Sequence, residues 1–397
     1  MAHVLARAGL SVLVLEREHN YRDKVRGEYI PPWGVREIQQ LGLQDVLLAA
    51  GGRLVSRLVP FDEVLQPEAA ERRGDRIAQA VAGAPGSLNV GHPQACDALN
   101  QAARSAGADV LCGVTDICVL ATAPRVELSY LHDGGEQRVR ARLLIGADGR
   151  QSIVRKQLGL TLHEHAARTV AAGLLVRQAQ DDPTQPSMAG TFGDAFYLAF
   201  PRAQGITRLY VMLTIAERQR FAGAHGARRL LESYRNYGSP YAAQLAAAEP
   251  IGPCATYAMN DSLVREPLAD NAVLIGDAAG WNDPIIGQGI SIAMRDVRFV
   301  SEILLQDRSD WSRARFASYV SERTERMRRL RIAAAVATDI RCTFSEAGRQ
   351  RREAWFSKSV KQPWSAATAL APVIGPDATP AEGYTPEAVE RILTMQY

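Results

Sequence analysis

Three short apolar runs in this chain each stop at an acidic residue. Ser11–Leu15 ends at Glu16, Leu143–Gly146 runs on to Asp148-Gly149, and Val273–Ile275 reaches Asp277. Continuous apolar runs of this length, without polar alternation, are the mark of strands covered on both faces in a parallel sheet. Parallel strands need crossover connections, so the runs impose an α/β architecture. Acids at the strand ends put carboxylates where such sheets bind their ligands.

The remaining pattern surrounds these runs. Val4, Leu5 and Ala8 fall at helical spacing, with Gly9 as a C-terminal cap. Pro31–Ala50 reads as loop and helix, with Ile38, Leu41 and Val46 as core residues. Pro93 suits the first turn of a helix running to about Ala106, followed by strands near 108–120 and 125–131. His132-Asp133-Gly134-Gly135 is a hairpin turn, because glycine accepts the positive φ it needs. From about 166 to 258 the character changes to period-two stretches (Leu174–Arg177, Ala195–Phe200, Arg208–Thr214) with a helix near 216–236, the pattern of an antiparallel sheet in a second domain. Helices near 287–306 and 311–341 come after the third run, then a tail that ends in a short helix at Pro386–Thr394. The first domain is therefore discontinuous, over 1–60, 88–165 and 259–306; the second takes 61–87 and 166–258, and 307–397 forms C-terminal helices and tail.

Each strand end has a chemical reading and a plainer one. Glu16 can accept hydrogen bonds from a ribose, or it is a strand-end carboxylate in water. Its glycine-rich phosphate loop is expected ~20 residues earlier, which falls upstream of Met1, so only the second half of such a unit is visible. Such a chain is expected to leave the Ser11–Leu15 edge open, to bind its dinucleotide poorly and to aggregate. Gly146–Arg155 (GADGRQSIVR) is a strand, an Asp-Gly turn and a helix start. Its amides can hold a phosphate with Asp148 capping the helix, or it is simply a capped turn. In Gly276-Asp277-Ala278-Ala279-Gly280, Asp277 can bind polyol hydroxyls, and Gly287 and Gly289 let backbone amides approach a flat ring at a helix N-terminus.

Composition excludes several alternatives. A net charge of +3 calls for neither nucleic acid nor an anionic membrane. The basic run Arg323, Arg326, Arg328, Arg329 and Arg331 is expected to be the solvated face of a helix. No apolar run approaches the ~18 residues of a membrane span, and Met1–Gly9 is no signal peptide, so the default location is cytoplasmic. Five cysteines without C-x-x-C spacing fit small buried thiols in a reducing compartment. No Ser-His-Asp or metal constellation is visible; His163-Glu164-His165 lacks a third ligand. Phe192, Phe196, Tyr197, Phe200 and Tyr210 either line an aromatic substrate pocket or are ordinary core and surface aromatics.

Strand–Glu16, G-A-D-G-R-Q-S-I-V-R and G-D-A…P…G-Q-G, in this order, resemble the class A flavoprotein monooxygenases over roughly residues 1–340. The resemblance implies a Rossmann-like FAD-binding domain lacking its first strand, an antiparallel-sheet substrate domain and C-terminal helices. It implies FAD as cofactor, NADPH or NADH as reductant, and O2 and a small molecule as partners. The implied reaction is hydroxylation of an electron-rich, aromatic substrate through a flavin C4a-hydroperoxide, so chemistry is centred on flavin and no catalytic side chain is named. By the same resemblance Glu16 binds the adenosine ribose, and Arg26 and His92 lie near flavin or diphosphate. Asp148, Gly149 and Arg155 serve pyrophosphate and nicotinamide, and Gly276 and Asp277 serve the ribityl chain. Pro284, Gly287 and Gly289 face the isoalloxazine.

Several residues depart from the pattern. Ala279-Gly280 replaces the common Ala-His, Ser291 stands where Asn is common, and Gly27–Pro31 looks more like the prenyl-reductase and halogenase branches. The alternatives are therefore a halogenase or a prenyl-type reductase of the same superfamily, or a truncated non-catalytic protein. Against halogenation, no lysine lies between Lys24 and Lys156, where one would handle hypohalite, and W-x-W-x-I-P is absent.

Overall fold

The computed structural model describes residues 1–25, 28–78, 80–358 and 363–394. The apolar runs form parallel strands. Leu13–Glu16 pairs with Asp109–Cys112, Val14 opposite Val110, and Leu144–Gly146 pairs with Ala272–Leu274. Both pairs contribute to one core, in which Val12 and Ile145 pack with the buried Val273 and Ile275. Helix Ala2–Arg7, closed by Gly9 at φ +80°, covers this core together with Pro32–Gln40 and Gly289–Gln306.

Burial departs from expectation at the first run. Val273 and Leu274 are fully buried, but Leu13 is 36% exposed and Val14 and Leu15 only half-buried. Among the described residues Leu13–Glu16 has a strand neighbour on the Asp109–Cys112 side alone. A strand with one open edge lacks the lateral packing that would cover its side chains.

The second sheet has seven strands. Thr169–Arg177, Ile206–Thr214, Ala195–Pro201 and Ser187–Phe192 run antiparallel in that order, with Glu249–Pro250 and Ala255–Met259 on the outer edge of the first. Leu58–Pro60 adds in parallel to Ser187–Ala189, so the segment just before residue 61 belongs to this sheet and not to the first domain. The central strands are buried on both faces, not apolar on one and polar on the other. Tyr197, Leu209 and Val211 face Leu230 and Tyr234, from helix Gly226–Tyr234. Phe196, Phe200, Tyr210 and Met212 face Ile285, Ala334 and Cys342, from the other side of the molecule.

Helix Ala317–Arg341 lies against the turn that follows Ala272–Leu274. Its basic run is a solvated face only in part: Arg328 is exposed and Arg329 and Arg331 are half-buried, but the first two arginines point inward. Arg323 and Arg326 are 4% and 3% exposed, because Asp296 sits opposite them in the interior and makes their burial tolerable. Among the described residues no helix is long and apolar enough to cross a membrane.

Candidate functional site

The third motif is built around Gly276, whose φ of +57° turns the chain out of strand Ala272–Leu274 into the short helical turn Gly276–Ala279. Asp296 accepts the Gly276 amide at 2.8 Å. Burial alone would raise the Asp296 carboxyl, but Arg323 and Arg326 hold it below the usual range. Arg323 then donates to three carbonyls of the turn, those of Gly276 (3.0 Å), Ala279 (3.1 Å) and Gly280 (2.9 Å). One buried ion pair thus fixes the loop that presents Asp277. The Asp277 carboxylate emerges half-exposed, 3.2 Å from Arg150 Nε.

The second motif folds as its plainer reading describes. Asp148 Oδ2 accepts the amides of Ile153 (2.7 Å) and Val154 (3.1 Å), and Ser152 Oγ accepts that of Arg155 (2.9 Å). Those amides are committed to side chains, which leaves none of the three for a phosphate. Gly149, at φ +74°, faces open space. Arg155 is buried and donates to Ala278 O (3.0 Å) and Arg150 O (2.8 Å), so it ties the second motif to the third. Glu16, at the end of its strand, accepts the Glu18 amide at 2.8 Å. His92 is the first residue of helix His92–Ser105, with Cys96 Sγ 3.6 Å from its Nδ1. Arg26 lies outside the described residues.

Beyond Asp277 the chain passes Asn282 and Asp283 into the turn Pro284–Ile286. Asp283 caps this turn through the Ile285 amide (2.9 Å). Burial, with the charge of Asp261 nearby, pushes its carboxyl up to about 6, although the Ile285 amide, Arg150 and Arg168 act the other way. Gly287, at φ +63°, lies under the Tyr29 ring, which an added Cβ would meet at 2.9 Å. Gly289 opens helix Gly289–Gln306 and faces open space. Gln288 is locked between Trp33 Nε1 (2.7 Å) and the Pro372 carbonyl (3.2 Å).

Three of the five candidate aromatics, Phe196, Phe200 and Tyr210, gather on the sheet face toward this turn, while Phe192 packs in the opposite cluster. Tyr29 stacks on Phe200 with ring centres 4.7 Å apart, Phe196 is 1% exposed, and Tyr210 donates to Glu28 at 3.4 Å. Tyr197 points to the opposite face and stacks on Tyr237 at 5.0 Å, because neighbours along a strand alternate. Sequence reasoning passed over the groups that hold this seam. Buried Glu28 accepts from Arg208 (2.5 Å) and Arg202 (3.0 Å), and Arg208 also reaches Asp23 (2.5 Å). Nothing local marks Glu28. Asp296 did carry a signal: it follows Ile292 and precedes Val300 at i+4 spacing, an acid on an apolar helix stripe.

The arrangement fits a dinucleotide. Glu16, Asp148 and Asp277 lie at or just beyond the carboxyl ends of parallel strands, where α/β sheets bind such ligands. Open space at Gly149 and Gly289 gives a cofactor close access to backbone, and the two polar atoms of the buried Asn282 amide have no partner among the described residues. The comparisons agree with this geometry. A family model described as "FAD binding domain" matches residues 1–334. The chain is 30% identical to FAD-dependent monooxygenase ankC of Aspergillus thermomutatus over 41% of its own length and 28% of that protein's. It is 28% identical to menaquinone reductase of Mycobacterium tuberculosis over 75% of its length and 72% of the relative's. The chain therefore spans only about a quarter of the first relative but most of the second. Its fold resembles that of CmlS, a flavin-dependent halogenase, with a TM-score of 0.70 at 19% identity, covering 100% of this chain and 74% of that one. With its strand-end acids and glycine turns lying within the matched region, this chain belongs to the FAD-binding-domain family of flavoproteins, and FAD is its cofactor.

Proposed function

We propose that this protein is an FAD-dependent monooxygenase that hydroxylates an electron-rich, aromatic small molecule with NAD(P)H and O2, in the cytoplasm. The observation that carries this reading is the apolar aromatic face of Phe196, Phe200 and Tyr29 turned toward the Pro284–Gly287 turn. Such a face stacks an aromatic substrate and keeps water away from it. Bound FAD would supply electron transfer from the nicotinamide and activation of oxygen.

The chain's own residues position and exclude. Asp277 accepts hydroxyls of the ribityl chain, while the N-terminus of helix Gly289–Gln306 favours negative charge on the cofactor's edge. Glu16 would accept from the adenosine ribose, and Pro284 and Gly287 would hold the ring system. Burial pushes the Asp283 carboxyl up to about 6 beside that turn, close enough to neutral pH for it to accept a proton and return it. The test is to load the protein with FAD and screen phenols and anilines for stimulated NAD(P)H oxidation under 18O2. A product carrying one labelled oxygen supports the reading; stimulated oxidation with no labelled product from any compound sinks it.

The similarity to menaquinone reductase, over 75% of the chain, favours a second reading: reduction of a prenyl-type double bond. Turnover of a prenylated quinone without oxygen separates the two.

A further inference from the structure

The turn Pro284–Ile286 and the start of helix Gly289–Gln306 are tied to the rest of the molecule by one side chain. Gln288, 1% exposed, accepts the Trp33 indole N–H at 2.7 Å through Oε1. Its Nε2 donates to the Ile286 carbonyl and to the Pro372 carbonyl, the latter at 3.2 Å. Three segments far apart in the chain therefore meet at one buried amide: helix Pro32–Gln40, the turn itself and helix Pro363–Ile374. The C-terminal side of this junction is secured in its turn. Gly375, at φ +95°, sits against Trp33, whose Cβ lies 3.4 Å from where an added Cβ would stand. The Pro376 and Thr379 carbonyls accept from Arg329 at 3.0 and 3.3 Å, and Asp377 pairs with Arg295 at 2.8 Å.

Gln288 is also the N-cap residue of helix Gly289–Gln306, yet its side chain makes no capping bond to that helix. The first amides of an α-helix have no intrahelical partner. By committing its own amide to Trp33, Ile286 and Pro372, Gln288 leaves those N–H groups without a side-chain cap and fixes where they point. Aligned amides at a helix start favour negative charge. A hydride added to the neutral oxidised ring of a flavin leaves one negative charge on that ring. Amides held at its edge therefore bind the reduced form more tightly than the oxidised form and raise its potential.

Resting on the placement of the FAD ring against Pro284 and Gly287, we propose that Trp33, Gln288 and the Pro372 carbonyl form a staple through which the C-terminal segment sets the electron affinity of bound FAD. Trp33 and Gln288 are positioning residues, acting through the turn and the helix amides. Cutting the staple lets both relax, and the reduced ring, which carries the charge, loses more than the oxidised ring.

The experiment uses the FAD-loaded protein beside Trp33→Phe, Gln288→Met and the double variant. For each, the midpoint potential is measured against a reference dye and FAD affinity by quenching of flavin fluorescence, so no turnover is required. Trp33→Phe removes one donor, and Gln288→Met removes every bond of the amide at similar volume. Each single change should weaken the reduced form roughly three- to tenfold more than the oxidised form, a shift of roughly 15–30 mV toward negative potential for a two-electron couple. Because Trp33 acts through Gln288, the double variant should shift no further than Gln288→Met alone. Leu245→Ala, which opens a cavity in the cluster on the far face of the seven-stranded sheet, should lower the melting temperature and leave the potential alone. A Gln288→Met protein that fails to fold leaves the decision to Trp33→Phe and Leu245→Ala. Parent potentials in the staple variants, shifts that add in the double variant, or an equal shift in Leu245→Ala overturn the proposal. Asp277→Ala separates that failure from failure of the placement. Weaker FAD binding there, with unmoved potentials in the staple variants, removes the staple and keeps the placement; parent affinity there and in every staple variant removes the placement.

Discussion

Asp283 shows how one side chain links stability to a possible proton role. Its carboxyl ordinarily titrates at 3.8 and here at about 6, chiefly through burial. Between those values the folded state keeps a proton that the unfolded chain releases, so this residue's contribution to stability falls as pH rises from about 4 to about 6. Above that window the deficit is constant. Asp283→Asn keeps the acceptor for the Ile285 amide and removes the charge. The variant should therefore melt higher than the parent at pH 7.5, with the gain shrinking to nothing near pH 4; a gain that does not depend on pH would contradict the burial argument. At this scale legibility was uneven. Asp277 and Gly276 were readable because a buried strand must end in a tight turn, which tolerates few residue types. Glu28, Arg202 and Arg208 were not, because their meaning lies in contacts about 170 to 180 residues apart along the chain.

Elements were read more securely than the faces they present. Helices at His92–Ser105, Gly289–Gln306 and Pro386–Thr394 lie close to where periodicity and capping put them. Helix Ala317–Arg341 was found, but Arg323 and Arg326 of its basic run face inward and not to solvent: a basic residue looks solvated until its counter-charge is known, and Asp296 belongs to another helix. Removing that counter-charge should be severe. Asp296→Ala leaves Arg323 and Arg326 unpaired in the interior and should cost ~3–5 kcal/mol in urea unfolding; a loss below ~1 kcal/mol would mean the pair is not buried as described. Strand Ala195–Pro201 makes the same point in β geometry. Its apolar sequence does not say which alternate set meets the substrate, since both faces are covered. Phe196→Leu should shift substrate preference with the flavin spectrum intact. Tyr197→Leu should lower the melting temperature through loss of the Tyr237 stack and leave preference alone. The opposite pairing of effects would exchange the two faces.

For the whole molecule, the seven-stranded sheet meets Asp23, Glu28, Tyr29 and the turn Pro284–Ile286 at a seam with two kinds of cement. The apolar part runs from Tyr29 and Phe200 to Ile285. The ionic part joins Glu28 and Asp23 to Arg202 and Arg208. The α/β class and the second antiparallel domain were visible in hydrophobic period alone. The seam was not, because it depends on which face of each sheet turns inward. The cofactor side rests on strand ends fixed from behind by buried arginines, and Asp277 is the acceptor presented by the best-secured of these turns. Titrating the parent and Asp277→Ala with FAD, followed by quenching of flavin fluorescence, tests that claim most directly. Loss of an ionised acceptor worth ~1.5–3 kcal/mol predicts roughly 10–150-fold weaker binding by a variant that still folds. Equal affinity in the two proteins would contradict the account.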